Sequence, residues 1–158
     1  MALYGSITNR LEENKIYGEE IKVGTGATQY LYSDREPWEV IEVISQDEFV
    51  LRELDSKRVD KNGMSECQDY EFFSNEKNRT VHLYAKKDRK GHKHWYEVEL
   101  INLEYLDGLD QWASANILFN LTETRRKKVL AGKTVRIEKR SSYGWSIGRA
   151  DKYYDYSF

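Results

Sequence analysis

A chain of 158 residues, 39% of them hydrophobic, can bury one complete core but is short for two, so a single domain over 1–158 is expected. No run of about 18 uncharged apolar residues occurs, and the opening MALYGSITNRLEENK meets charge too early for a secretory signal; a soluble, intracellular protein with no membrane partner is expected. A formal net charge of −2 argues against wholesale DNA mimicry, and the single cysteine, Cys67, can close no internal disulfide and fits a reducing compartment. The charge is unevenly spread: residues 1–76 carry 8 Lys/Arg against 17 Asp/Glu, and residues 77–158 carry 17 against 10. Either strands of both halves interleave and mix the charges, or the molecule has an acidic and a basic face suited to docking on a charged partner.

Twelve tyrosines, four tryptophans and one proline, Pro37, favour half-buried strands over long helices. Residues 1–20 read as a loosely held arm, with one helical turn possible over Ile7–Asn14 because Ile7 and Leu11 lie four apart. The stretch KVGTGATQYLYSDREPWEVIEV, Lys22–Val43, organises the remainder of the chain. Gly24-Thr25-Gly26 is a turn, Ala27–Tyr32 and Trp38–Ile44 are extended, and Ser33-Asp34-Arg35 is a corner that the Asp34 side chain can close; the pattern is a β-hairpin. A third strand, Glu48–Leu54, comes after the turn Ser45-Gln46-Asp47 and extends the hairpin to a meander.

Asn62-Gly63 is a strong turn signal before a strand over Glu66–Phe73 that puts Cys67, Asp69 and Glu71 on one face. The Cys67 thiol is either reactive or inert, for no His or Lys is set beside it by spacing. Arg79–Ala85 and His94–Leu100 are strands joined by the cationic turn KKDRKGHKH. Lys86, Lys87, Arg89, Lys90 and Lys93, near Trp95 and Tyr96, either contact phosphates or keep an exposed tip soluble. His92 and His94 share a strand face, yet two imidazoles with no third ligand nearby do not make a metal site.

The segment 101–132 reads as a helical insertion. Asp110–Phe119 carries Trp112, Ala115 and Phe119 at helical spacing, and Asn120-Leu121-Thr122-Glu123 resembles a capping box opening a second helix, Leu121–Ala131, that stops at Gly132. Leu121, Val129 and Leu130 are its apolar anchors, while Arg125, Arg126, Lys127 and Lys128 ring the helix at 100° steps. Lys133–Lys139 and Gly144–Ile147 return to strand, and the aromatic terminus Tyr153–Phe158 is expected to dock as a clasp. The fold class is therefore α+β, mainly antiparallel: a twisted meander or small barrel-like sheet with two short helices inserted before the C-terminal strands.

The sequence holds no nucleophile elbow, Walker loop, dinucleotide fingerprint or zinc ligand set, and Gly24-Thr25-Gly26 precedes a strand where a phosphate cradle needs a helix; neither enzyme activity, cofactor nor metal is expected. The blocks VGTGAT with YSDREPWEVIEV, RVDKNGMSECQDYEF and WSIGRADKYYDYSF resemble a recurrent group of small phage-encoded proteins of uncharacterised role. The likeness spans Val23–Val43, Arg58–Phe72 and Trp145–Phe158; the interior Glu97–Arg140 departs from it, as does Pro37-Trp38. In a Lys-, Glu- and Tyr-rich chain like those of low-GC Gram-positive hosts, the whole is similar in kind to the type II-A anti-CRISPR proteins of staphylococcal elements.

That resemblance implies a stoichiometric inhibitor in the host bacterial cytoplasm. It would bind Cas9 or its guide-RNA complex and block DNA binding or nuclease-domain activation. It carries over no individual residue, so the partner surface is placed on the departing segment, at Glu104, Asp107, Asp110, Trp112, Arg125, Arg126, Lys127 and Lys128. The alternative is a phage nucleic-acid-binding module using the basic hairpin 86–93 and the helix at 125–128. A mimicry surface would instead centre on Glu36, Glu39 and Glu42.

Overall fold

The computed structural model describes residues 20–156 in full and the backbone of 2–4. The rest of the expected arm, including Ile7–Asn14, lies outside the described residues. The chain's contacts gather into two compact units, one from residues 1–96 with 140–158 and one from 97–139. The class is α+β and mainly antiparallel, with three short helices before the C-terminal strands; the strand order runs from one open edge to the other, so the sheet is not a barrel.

The expected hairpin forms the centre of the first unit. Strands β1 (Ala2–Tyr4), β2 (Gly26–Tyr30), β3 (Arg35–Ser45), β4 (Glu48–Glu53), β5 (Asp55–Arg58), β6 (Asp69–Phe73), β7 (Thr80–Lys87), β8 (Lys93–Ile101), β9 (Val135–Arg140) and β10 (Gly144–Gly148) form two sheets. The main one has the order β10-β2-β3-β4-β7-β8-β9 and the smaller one β1-β6-β5. Strands β2, β3 and β4 are the meander, with Ala27 opposite Trp38 and Val40 opposite Leu51. Inward positions of these strands give the core: Ala27, Trp38, Val40, Phe49, Leu51, Leu83 and Trp145 are buried together. Trp38 and Trp145 meet edge to face at 5.3 Å, a geometry their ring quadrupoles favour. Each large side chain so buried contributes about 1.5–3 kcal/mol against the entropy of ordering it.

Three local readings change. The Asp34 side chain does not close the corner: Leu31 N–H bonds the Asp34 carbonyl, while the Asp34 carboxylate receives Asp155 N–H at 2.7 Å. Arg35 is therefore free of the turn and opens β3. The strand expected from Glu66 begins only at Asp69, because Cys67 N–H is taken by the Ser65 hydroxyl and Gln68 turns inward. Its partner β5, a polar DSKR run, has no apolar alternation by which to be seen. Of Asn62 and Gly63 only the glycine is left-handed, at φ 61°.

Gly26 is required by crowding: a Cβ there would lie 2.5 Å from Ala150 N. The terminus docks, as a clasp should, through one bridge between Tyr153 and Arg35 in place of a strand. Its second hold is Gln68. The Gln68 amide donates to the carbonyls of Ser65 and Tyr154, and its oxygen accepts from Tyr154 N–H and the Tyr70 hydroxyl. Buried Arg35 pairs with Asp151 beneath this clasp. Burial pushes the Asp151 carboxyl above its ordinary value, against the pull of Arg35.

The second unit has three helices where two are expected: α1 (Leu103–Asp107), α2 (Gln111–Asn120) and α3 (Glu123–Leu130). Helix α1 is too short for periodicity to reveal; the Asn102 carboxamide caps it, accepting Tyr105 N–H. Asp110 caps α2, and the cap of α3 is Thr122, two residues beyond the expected box start at Asn120. Ile101, Leu106, Leu121, Val129 and Val135 form this unit's core, with Ile117, Leu118 and Ile137 against it. Leu130, expected as an anchor, is exposed, because α3 buries only Val129.

Candidate functional site

Helix α2 turns its smaller apolar residues inward and its larger ones outward. Ala113, Ser114, Ile117 and Leu118 are half-buried, and the Ser114 hydroxyl bonds the Leu106 carbonyl at 2.7 Å. The opposite face carries Trp112, Ala115, Asn116 and Phe119. Trp112 and Phe119 lie seven residues apart, on nearly the same azimuth, and are 84% and 80% exposed. The helical spacing read in the sequence is real, but it marks the solvent face of the helix. Scattered exposed apolar residues are ordinary. Two large aromatics aligned on a capped helix make a stripe of the kind that marks a contact surface.

The other residues placed on this surface divide by role. Glu104, Asp107, Arg125, Lys127 and Lys128 are exposed on α1 and α3. Asp110 serves α2 as its cap, receiving Ala113 N–H at 2.8 Å. Arg126 caps the other end of α2, donating from Nε to the Leu118 carbonyl and from Nη2 to the carbonyls of Phe119 and Leu121. A guanidinium there also opposes the negative end of the helix dipole. Lys127 pairs with Glu123 one turn before it at 3.1 Å, a solvated contact of small worth. The four consecutive cations are thus one structural arginine and three exposed charges. Phe119 is the residue of this face that the sequence does not single out for the partner surface, although its seven-residue spacing from Trp112 is the available signal.

The basic hairpin tip is also partly occupied. Lys86 lies over the rings of Tyr84 and Tyr96, and Lys93 over Trp95 and 3.7 Å from Asp47. Lys87, Arg89 and Lys90 are exposed. A carboxylate does sit beside the two histidines, which spacing alone does not place. His94 Nε2 is 3.0 Å from Asp88 Oδ2, and His92 Nδ1 is 3.6 Å from it. The His94 hydrogen bond first, then the His92 and Lys90 amides, hold the Asp88 carboxyl below its ordinary value. Arg140 donates to His94 Nδ1 at 2.9 Å, so the neutral ring carries its proton on Nε2. Among the described residues no group of three or more His, Cys, Asp or Glu is arranged to hold a metal ion.

On the acidic strand β3, Glu36 pairs with Lys152 at 2.6 Å and Glu39 with Arg52 at 2.8 Å, leaving Glu42 exposed. Cys67 is exposed. No helix among the described residues is long and apolar enough to cross a membrane. Compared with protein families, curated proteins and solved structures, the chain matches no family model, no curated protein and no solved structure.

Proposed function

We propose that this protein acts by occupying the surface of a partner protein, making and breaking no covalent bond, and that the partner is a type II-A Cas9 or its guide-RNA complex. The observation that carries the reading is the outward Trp112–Phe119 stripe on α2. A tryptophan and a phenylalanine held on a rigid helix lose little conformational freedom on docking and bury large apolar areas, which is the profile of interface hot spots. The exposed Glu104, Asp107, Arg125, Lys127 and Lys128 on the neighbouring helices supply mixed charge that orients encounter more than it adds affinity. A phage-encoded inhibitor seated this way blocks DNA engagement or nuclease-domain movement by occupancy alone.

The test is a Cas9 cleavage assay with the purified chain. Cutting should fall to completion near one equivalent, and Trp112→Ala with Phe119→Ala should restore it while thermal stability stays within about 0.5 kcal/mol of the parent. Undiminished cutting at several-fold molar excess overturns the partner assignment. A second reading, a nucleic-acid-binding accessory module, is favoured by the three exposed cations Lys87, Arg89 and Lys90 on the hairpin tip and by Arg125, Lys127 and Lys128 on α3. It predicts a gel shift of free DNA that weakens steeply between low and moderate salt, whereas a dedicated Cas9 inhibitor leaves free DNA unshifted.

A further inference from the structure

The C-terminal clasp and the loop after the Asn62-Gly63 turn border an open pocket of about 260 Å³, lined by Met64, Ser65, Glu66 and the run Tyr153-Tyr154-Asp155-Tyr156. We propose that this pocket binds an organic cation of side-chain size, an alkylammonium or a guanidinium, between the tyrosine rings and the Glu66 carboxylate.

Its chemistry is one-sided. Three tyrosines, a methionine, a serine and two acidic residues line it, and no Lys, Arg or His does. Tyr154 and Tyr156 meet edge to face, 4.8 Å apart at an interplanar angle of 66°, so their rings stand at a steep angle to each other. Aromatic corners with a carboxylate alongside attract cations through the ring quadrupole and select for weakly hydrated ones. The same ring set already does so within the chain: the Arg35 guanidinium lies 5.3 Å from the Tyr153 ring centre and Arg58 lies 5.7 Å from that of Tyr156. Both of these cations are neutralised by carboxylates of their own, Arg35 by Asp151 and Arg58 by a two-point contact with Asp60, so they leave the Glu66 charge in place. Lys152, next in the chain, is likewise bound to Glu36.

The walls are built to hold their shape. Gln68 grips Tyr154 through both its backbone N–H and its carbonyl, Asp34 holds Asp155 N–H, and Arg58 donates to the Tyr156 hydroxyl at 3.0 Å. Met64, 78% exposed at the rim, is an adaptable wall. The volume is below the range of about 300–1,000 Å³ usual for drug-sized ligands, which suits a quaternary ammonium or one arginine or lysine terminus. This site is separate in sequence and chemistry from the α2 face and stands whether or not that face binds Cas9.

The experiment titrates the full chain with tetramethylammonium chloride, with the amide of N-acetylarginine, and with 3,3-dimethylbutanol as an uncharged probe of similar shape, at constant ionic strength. Backbone amide shifts are followed by two-dimensional NMR. Saturable shifts confined to residues 64–66 and 153–156, with the cations binding about tenfold tighter than the alcohol, are expected. Glu66→Gln, on an exposed side chain that no fold contact requires, should weaken the cations severalfold and leave the alcohol unchanged. Tyr154→Leu, which retains the backbone contacts to Gln68, should weaken them further. Preference for the ammonium identifies a small-molecule ligand, and preference for the arginine amide identifies a side chain of a protein. Equal binding of cation and alcohol, unsaturable shifts, or indifference to Glu66→Gln overturns the proposal.

Discussion

Replacing Gln68 with alanine tests how the C-terminal run is held against the body of the first unit. The carboxamide is 1% exposed and uses all it has: two donations, to Ser65 and Tyr154 carbonyls, and two acceptances, from Tyr154 N–H and the Tyr70 hydroxyl. A hydrogen bond contributes about 0.5–1.5 kcal/mol net, and a buried group left without a partner costs about 1–3 kcal/mol. Tyr154 is 46% exposed, so water re-solvates its backbone groups and those losses fall at the low end. The Tyr70 hydroxyl is buried and does not recover. The expected loss is about 3 kcal/mol, which for a chain of this length lowers the thermal midpoint by about 6–12 °C. Urea unfolding followed by tryptophan fluorescence measures it. Burial pushes the Tyr70 phenol up to about 12, and admitting water beside it should bring that value back toward the ordinary one in a spectrophotometric titration. Gln68→Glu retains the acceptor but sets a carboxylate against two carbonyls, so its deficit should shrink as pH falls and the acid protonates. A Gln68→Ala variant within about 0.5 kcal/mol of the parent refutes the reasoning.

Arg126→Met should cost about 1–2 kcal/mol through the lost α2 cap, whereas Arg125→Met or Lys128→Met should stay within about 0.5 kcal/mol in the same chemical melts. Gly26→Ala should destabilise by about 1–3 kcal/mol, because the new methyl meets the backbone of buried Ala150, just beyond β10; a neutral result would show that β2 or that segment moves freely. Acid should weaken the first unit. The carboxyls of Asp60, Asp55 and Asp88 are held below their ordinary value, chiefly by Arg58, by Asn78 and by His94 in turn. The unfolded chain binds those protons first, so the stability they bring is present above about pH 4 and is lost as pH falls through the depressed folded values. Asp151 runs the other way: its raised folded value makes its contribution grow as pH falls. Thermal midpoints should therefore decline into acid, less steeply in Asp60→Asn and more steeply in Asp151→Asn; a rise in the parent would contradict the assignment.

The meander was legible because period-2 apolar residues separated by turn signals admit little else, and β2, β3, β4, β7, β8 and β10 lie where that pattern puts them. What escaped was written in polar contacts. Strand β5 is held by pairing with β6 and by Asn75 and Asn78 on Asp55, none of which leaves an apolar trace in DSKR. Helix α1 is one turn and a fraction, too short for a repeat to register. The clasp was foreseen as aromatic docking, yet its grip comes from backbone groups recognised by Gln68 and Asp34 far away in the sequence. Nor does a helical repeat say which face is buried. On α2 the inward face is Ala113, Ser114, Ile117 and Leu118, and the heavier Trp112 and Phe119 face solvent.

The exposure of both aromatics sets this face of α2 apart from the charged surface of the chain. Exposed Lys87, Arg89, Lys128 and their acidic counterparts need no partner to explain them, for charge on a surface maintains solubility at small cost. Exposed Trp112 and Phe119 have no such account. Helix α2 is already closed by Asp110 at its start, by Arg126 at its end and by the Ser114 hydroxyl at its middle, and its contacts with the core run through Ile117 and Leu118. Neither aromatic adds to any of these. Small polar residues at both positions would fold as well and resist association better, so selection for stability or solubility leaves the stripe unexplained. The proposed contact accounts for both its size and its alignment, and it predicts that stability and partner binding respond to different residues of the same short helix.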